Sequence, residues 1–227
     1  MNYTLYDTIK QGSLQRKKFF AALVDPDKFN EEKIKKIISL RPDFILVGGS
    51  LIQNTIEKTI ENIKSLTKEI PIILFPGNYN QLSNQADAIL FLSLISGRNP
   101  EFLIGQHVVA APLLKQSSLE IIPTGYILID GGKCTSVQYM SNTMPIPADK
   151  TDIIISTAIA GEMLGLKLIY LEAGSGAMTA ISPNIIQTVR NAIDIPIIVG
   201  GGLRNREDVE KAWNAGADIV VVGSALE

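Results

Sequence analysis

Three late stretches of the chain combine glycine with hydroxyl or carboxylate side chains in a way that suits anion binding. Tyr170 to Ala177 reads YLEAGSGA, residues 200–205 read GGGLRN and residues 221–224 read VVGS. A tight glycine-rich turn exposes backbone N–H groups, and such groups hold an oxyanion such as a phosphate. Lacking a Cβ, glycine lets the backbone approach the ligand closely. Gly174, Ser175 and Gly176 form one candidate wall of a phosphate cradle, with Gly201, Gly202, Gly223 and Ser224 as the others. The plain alternative is three unrelated strand-to-loop turns. Glu172 closes an apolar run just before the first turn, where a carboxylate is costly unless it has a task or a partner. Taking a proton as a general base, or a hydrogen bond from a substrate hydroxyl, is such a task. Tyr170 lies two residues earlier, on the same side of an extended strand, and can offer its hydroxyl to a ligand.

Near the start, VDPDK (24–28) sets Asp25 beside Pro26, Asp27 and Lys28. That placement suits a hard cation that keeps several waters and bridges phosphate oxygens. Ser50, after Gly48 and Gly49, can add a hydroxyl or orient a metal-bound water. Helix capping is the competing role for Asp25, although Asp27 suits it better. Arg98 and Lys133 can meet a second phosphate or simply face solvent. His107, the single histidine, sits in an apolar helix-like run and reads as structural, as do Cys134 and Trp213.

These residues need elements to bring them together. Short apolar, β-branched runs alternate with longer amphipathic ones, the mark of βαβ units and a parallel sheet. The runs are FFAALV (19–24), DFILVG (43–48), IPIILF (70–75), AILFLS (88–93), PTGYILID (123–130), KLIYLE (167–172), IPIIVG (195–200) and DIVVVG (218–223). Between them the pattern predicts helices over 30–40, 50–69, 78–85, part of 99–114, 151–165, 182–193 and 205–216. Ser182 before Pro183, and Asn205 before an acidic first turn, are helix-entry signals. Eight strands with intervening helices predict a single-domain α/β fold over residues 1–227, a (β/α)8 TIM barrel. No early GxGxxG points to a doubly wound sheet. The polar stretch at 131–150 is too long for a minimal loop, which marks it as functional or mobile. The sequence ends just past the eighth strand, so the eighth helix is expected to be missing from it. In a barrel of this kind the active face is made by the loops after the strands' carboxyl ends, where all the motifs above fall.

With 21 basic and 23 acidic residues the formal net charge is −2, so no broad cationic field exists to attract nucleic acid. One cysteine excludes an internal disulfide and a Cys-rich metal site. It fits a reducing, cytoplasmic setting. No apolar run approaches the length of a spanning helix, so any membrane contact is expected to be peripheral. The many aliphatic helix residues allow a homo-oligomer.

The motifs VDPDK, VGGS, FPGN, YLEAGSG, GGGLRN and VVGS, in this order and spacing, resemble the geranylgeranylglyceryl phosphate synthase family over nearly the whole chain. The SNTMPIPADK stretch resembles that family's long loop. The resemblance implies a (β/α)8 prenyltransferase that joins the C3 hydroxyl of sn-glycerol 1-phosphate to a polyprenyl diphosphate, with Mg2+. By position it implies Mg2+ at Asp25 and Ser50. It implies glycerol phosphate at Tyr170, Leu171, Glu172, Ala173, Gly174, Ser175, Gly176, Gly201, Gly202, Gly223 and Ser224. For the chemistry itself, the residues point to Glu172 as the base and Asp25 as the metal holder, the expected catalytic pair. The chain departs from the family pattern at Ser50, where many relatives carry threonine, and at Ser224, where asparagine is common. Some relatives carry lysine in place of Leu23. A polyprenyl tail needs an apolar trough, for which Phe75, Pro76, Leu92, Ile95 and Ala110 are candidates. Two rival readings remain: a sugar-phosphate isomerase or synthase on the same barrel, and a phosphate- or lipid-binding barrel without turnover.

Overall fold

The computed structural model describes residues 4–226. Eight parallel strands pair in sequence order and close on themselves, β1 lying against β8 with Phe19 opposite Ile219. The strands are β1 (Phe19–Val24), β2 (Phe44–Val47), β3 (Ile72–Leu74), β4 (Ala88–Leu94), β5 (Glu120–Leu128), β6 (Leu168–Glu172), β7 (Ile197–Gly200) and β8 (Ile219–Val222). The barrel expected from the sequence is therefore present. Helices α1 (Leu5–Leu14), α2 (Glu31–Ser39), α3 (Ile56–Leu66), α4 (Gln106–Lys115), α5 (Ser136–Ser141), α6 (Thr151–Met163), α7 (Pro183–Arg190) and α8 (Arg206–Asn214) surround it, with a π turn over Glu101–Gly105 leading into α4.

The period of two along each strand sorts side chains into two apolar layers. On β6, Leu168 and Tyr170 pack inside the barrel with Ile198 and Val221. Ile169 and Leu171 turn outward and pack with Ile197, Val199 and the inner faces of the helices. Glu172 follows the parity of Tyr170 and so faces inward at the strand's carboxyl end.

The expected helix over 78–85 does not form. Its polar side chains bond backbone groups near and far instead, in competition with the helix ladder. The Gln81 side-chain carbonyl accepts from the N–H groups of Gly77 (3.1 Å) and Gly49 (3.3 Å), and its amide donates to the Gly49 carbonyl (2.7 Å). The Asn78 carbonyl takes the Asn80 N–H at 2.9 Å. The helix expected from Ser50 begins only at Ile56, because the Asp27 carboxylate holds the N–H groups of Gln53 and Asn54 in a loop. Asp27 is thus no helix cap; Asn30 caps α2, accepting from the Lys33 N–H at 3.0 Å.

Two helices lie where none is expected from the sequence. One is α1, entered by a reciprocal pair in which the Thr4 hydroxyl accepts from the Asp7 N–H and the Asp7 carboxylate accepts from the Thr4 N–H. Its Ile9 is fully buried with Phe19 and Ala21, and the Glu120 carboxylate accepts from the N–H groups of Leu5 and Tyr6. The other is α5, inside the long 131–150 segment. That segment is tied back to the barrel by Ile146, which bridges Ile129 and exchanges backbone bonds with Leu128 and Asp130. Past β8 the described chain runs as a turn from Gly223 to Leu226, with the Leu226 N–H bonded to the Gly223 carbonyl.

Candidate active site

The loops after the strands' carboxyl ends surround a cavity of about 550 Å³. Asp25, Ser50, Tyr170, Glu172, Ser175, Gly176, Gly201, Gly202, Gly223 and Ser224 all line it. Residues from the first, second, sixth, seventh and eighth strand ends therefore meet in one space, as only barrel closure allows. Leu171 and Ala173 do not face that space; their side chains belong to the apolar layer under the helices, as strand parity requires. Gly174 lies just beneath the wall, and its N–H donates to Glu172 Oε1 at 2.6 Å.

Glu172 is buried, and burial pushes its pKa from 4.5 up to about 7, against the opposing pull of the Gly174 N–H and the adjacent Tyr170 hydroxyl. A carboxyl so placed exchanges a proton near neutral pH, the property wanted in a general base. The Tyr170 hydroxyl is buried beside this carboxylate but makes no well-formed hydrogen bond among the described residues. It is held at the cavity floor against Glu172. Burial, then the Glu172 charge, raises its pKa well above the ordinary phenol value, so it stays protonated. Tyr126, opposite Tyr170 in the β5–β6 register, has its pKa raised for the same two reasons. With Phe75 these rings form the floor, at centroid separations of 5.3 Å (Phe75 to Tyr170) and 5.3 Å (Tyr126 to Tyr170). Sequence reasoning passed over Tyr126, although the alternation in GYILID already placed it on the same strand face as Asp130.

Gly201 explains why this wall needs glycine. Its φ is +81°, and a Cβ there would overlap Glu172 Oε1 and stand 2.7 Å from the Gly174 nitrogen. Gly201→Ala is expected to lower stability by roughly 1–3 kcal/mol, a fall of several degrees in thermal midpoint, and to weaken phosphate binding. Differential scanning calorimetry with and without phosphate checks this; an unmoved midpoint with unchanged phosphate affinity counts against it. Across the cradle mouth the Ser175 and Ser224 hydroxyls are 3.1 Å apart, joining the loops after β6 and β8.

At the end of β1, next to the β8 turn, Asp25 Oδ1 accepts the Asp27 N–H at 3.1 Å and Oδ2 pairs with Lys28 Nζ at 3.4 Å. It caps no helix. Among the described residues no group of three His, Cys, Asp or Glu side chains gathers to cage a metal. Asp25 and Ser50 line the same cavity, and one carboxylate with one hydroxyl would suit a hard cation that takes its other ligands from water and substrate oxygens. Mg2+ fits that description.

Phe75, Tyr126, Val137, Gly49 and Ser50 also line a second, apolar crevice that runs outward between β3, β4 and α4. Pro76, Leu92 and Ala110 line it as expected of a trough, but Ile95 does not. Ile95 turns to the outer layer beside Gly125 and Gly161, on the other side of the β4 chain. His107 borders the crevice as a packed ring, its Nε2 3.1 Å from Ser93 Oγ and its edge against Phe91 at 4.4 Å between centroids. Burial lowers its pKa and keeps it neutral. Trp213 donates to the Phe19 carbonyl at 3.1 Å, and Arg98 donates to the Gly97 carbonyl at 2.7 Å; neither lines the cavity.

Known proteins resemble this chain over nearly its whole length. The chain is 49% identical over 232 residues to geranylgeranylglyceryl phosphate synthase of Chitinophaga pinensis, covering 100% of this chain and 92% of that one. It is 40% identical over 220 residues to geranylgeranylglyceryl phosphate synthase of Pyrococcus furiosus, covering 94% and 86%. The crystal structure of (S)-3-O-geranylgeranylglyceryl phosphate synthase from Thermoplasma acidophilum, in complex with substrate sn-glycerol-1-phosphate, superposes with a TM-score of 0.92 at 32% identity, covering 99% of this chain and 92% of that one. Residues 13–227 match the PcrB family, and with the barrel, the cavity and these relatives in agreement, the chain belongs to that family.

Proposed function

We propose that the chain is a prenyltransferase that joins sn-glycerol 1-phosphate to a polyprenyl diphosphate, geranylgeranyl or a related length, giving an ether-linked prenylglyceryl phosphate. The observation that carries this reading is the continuity of one space: a glycine-rich cradle with a buried carboxylate at its floor, an acidic residue lining the same cavity at the end of β1, and an apolar crevice leading away. Each part answers to one part of the substrates.

The loops after β6, β7 and β8 hold the glycerol phosphate by its phosphate, fixing the C3 hydroxyl toward the reacting carbon. Glu172, oriented by the Gly174 N–H, accepts that hydroxyl's proton as the new carbon–oxygen bond forms. The bond from the allylic carbon to the diphosphate oxygen breaks in the same step, and the diphosphate leaves with the bonding pair. Tyr170 supplies a protonated donor to a substrate oxygen at the floor. The aromatic floor and the crevice exclude water, which would otherwise compete with the glycerol hydroxyl. Asp25 and Ser50 would hold Mg2+, which when bound offsets the charge that develops on the diphosphate. Cytoplasmic placement, assembly with further copies and peripheral contact with a membrane that receives the lipid product belong to the same proposal. Among the described residues no helix is long and apolar enough to cross a membrane.

A sugar-phosphate isomerase needs an acid and a base facing each other. Among the described residues the carboxylates lining the cavity are Asp25, paired with Lys28, and Glu172, while Asp130 spends an oxygen on the Gly132 N–H at 2.9 Å. A prenyl-transfer assay with glycerol phosphate and prenyl diphosphates of graded length, read by mass spectrometry of the ether product, tests the proposal. Absence of ether product with every length would overturn it. The same assay tests the crevice. Ala110 is buried and lines it, so Ala110→Phe is expected to cut kcat/KM for the longest accepted chain by at least about tenfold while sparing shorter ones. An unchanged length profile would place the tail elsewhere.

A further inference from the structure

We infer that Lys133 is a phosphate-binding residue of the cradle, a role that rests on the glycerol phosphate reading above. The backbone that carries it is pinned over the cradle on both sides. The Gly131 carbonyl accepts from the N–H groups of Met178 (2.9 Å) and Thr179 (3.2 Å), which stitches the loop after β5 to the loop after β6. Two residues past Lys133, buried Thr135 packs so closely over Gly174 that a Cβ there would stand 2.8 Å from both its Cβ and its Oγ1. Between these anchors the Lys133 ammonium reaches over Gly176, 3.2 Å from where a Cβ would stand. Gly176 has φ +67° and lines the cavity; Lys133 is exposed and stands outside the lining, with only the bare Cα of Gly176 between its ammonium and that wall.

Other cations at this rim are already engaged. Lys28 pairs with Asp25, and Arg204 donates to the Ala177 and Met178 carbonyls at 3.2 and 3.4 Å. Lys133 has no hydrogen-bond or ion-pair partner among the described residues. Backbone N–H groups alone leave a phosphate monoester's two negative charges without a counter-charge. An ammonium on that wall supplies one, as a mobile point charge rather than a fixed fork. Its position beside the β6 loop, away from Asp25 and Ser50, assigns it to the glycerol phosphate rather than to the diphosphate.

The test is calorimetric titration of the full chain with sn-glycerol 1-phosphate alone, with steady-state kinetics alongside. Lys133→Gln is expected to raise Kd and KM for glycerol phosphate about tenfold at low ionic strength, and only about twofold near 0.5 M salt. Turnover at saturation and KM for the prenyl diphosphate stay within about twofold, and Lys133→Arg restores most of the affinity. Unchanged affinity in Lys133→Gln, or an equal rise in KM for both substrates, overturns the inference. Failure of the unaltered chain to bind glycerol phosphate overturns the functional reading itself.

Discussion

Asp25→Asn, which keeps the shape and removes the charge, is expected to lower prenyl transfer by at least about 10²-fold while leaving the barrel intact. The charge, not the shape, is what a metal ion needs from this side chain. Asp25 lines the cavity at the end of β1, beside the β8 turn, where a diphosphate leaving group would sit, and among the described residues Glu172 is the one other carboxylate lining it. If the proposed Mg2+ supplies several kcal/mol of stabilisation to the departing diphosphate, losing its carboxylate costs at least two factors of ten, at about 1.4 kcal/mol each. The fold should survive, because the ties of Asp25 are local, to Asp27 and Lys28. Two measurements check this. Turnover of the unaltered enzyme should vanish in chelator and return with Mg2+. In Asp25→Asn the Mg2+ concentration for half-maximal activity should rise, with a thermal midpoint shifted by no more than a few degrees. Full activity in chelator, or in the variant, would remove both the ion and Asp25 from the mechanism.

Glu172→Gln is expected to lower turnover by about 10²- to 10⁴-fold, the usual contribution of a positioned base. A pH profile separates that role from simple binding. With its pKa near 7, Glu172 is largely protonated below neutrality and cannot accept a proton, so the rate of the unaltered enzyme should fall about tenfold per pH unit below 7. The residual rate of the Gln variant should lack that limb. Stability moves the other way. The folded-state pKa of about 7 lies above the ordinary 4.5, so the folded form holds a proton through this window that the unfolded chain has released. Stability therefore falls as pH rises from about 4.5 to 7, by on the order of 3 kcal/mol, and levels off above. The variant should lose this slope. Thermal midpoints at pH 5 and pH 8 for both proteins would show it; identical slopes, or an activity limb that survives in the variant, would demote Glu172 to a ligand contact.

Both predictions depend on a site whose parts were visible in the chain before folding. The apolar runs at 19–24, 88–93, 167–172 and 218–223 announced strands, because a strand buried on both faces must be apolar at every position. Glycine clusters at strand ends announced close backbone approach, and Gly201 with its φ of +81° is a position where no side chain fits. The misses have equally local causes. Residues 78–85 carry a helix-compatible pattern, yet Gln81 bonds backbone 32 residues away at Gly49, a contact that local pattern does not encode. Asp27 reads as a cap beside α2, but it serves the loop at Gln53 and Asn54 instead. Leu171 and Ala173 share the YLEAGSG motif with their neighbours, yet strand parity points them away from the cavity.

By itself, then, the sequence determined which residues carry chemistry and that eight strands alternate with helices, because residue type and period are local properties of the chain. Only the tertiary structure decided that Asp25 and Glu172, far apart in sequence, face one cavity, and that burial lifts the pKa of Glu172 toward neutrality. It also decided that Ile95 leaves the crevice and that Lys133 hangs over Gly176. Distance and desolvation arise when a closed barrel brings its strand ends together and excludes water between them, and neither quantity exists in an extended chain.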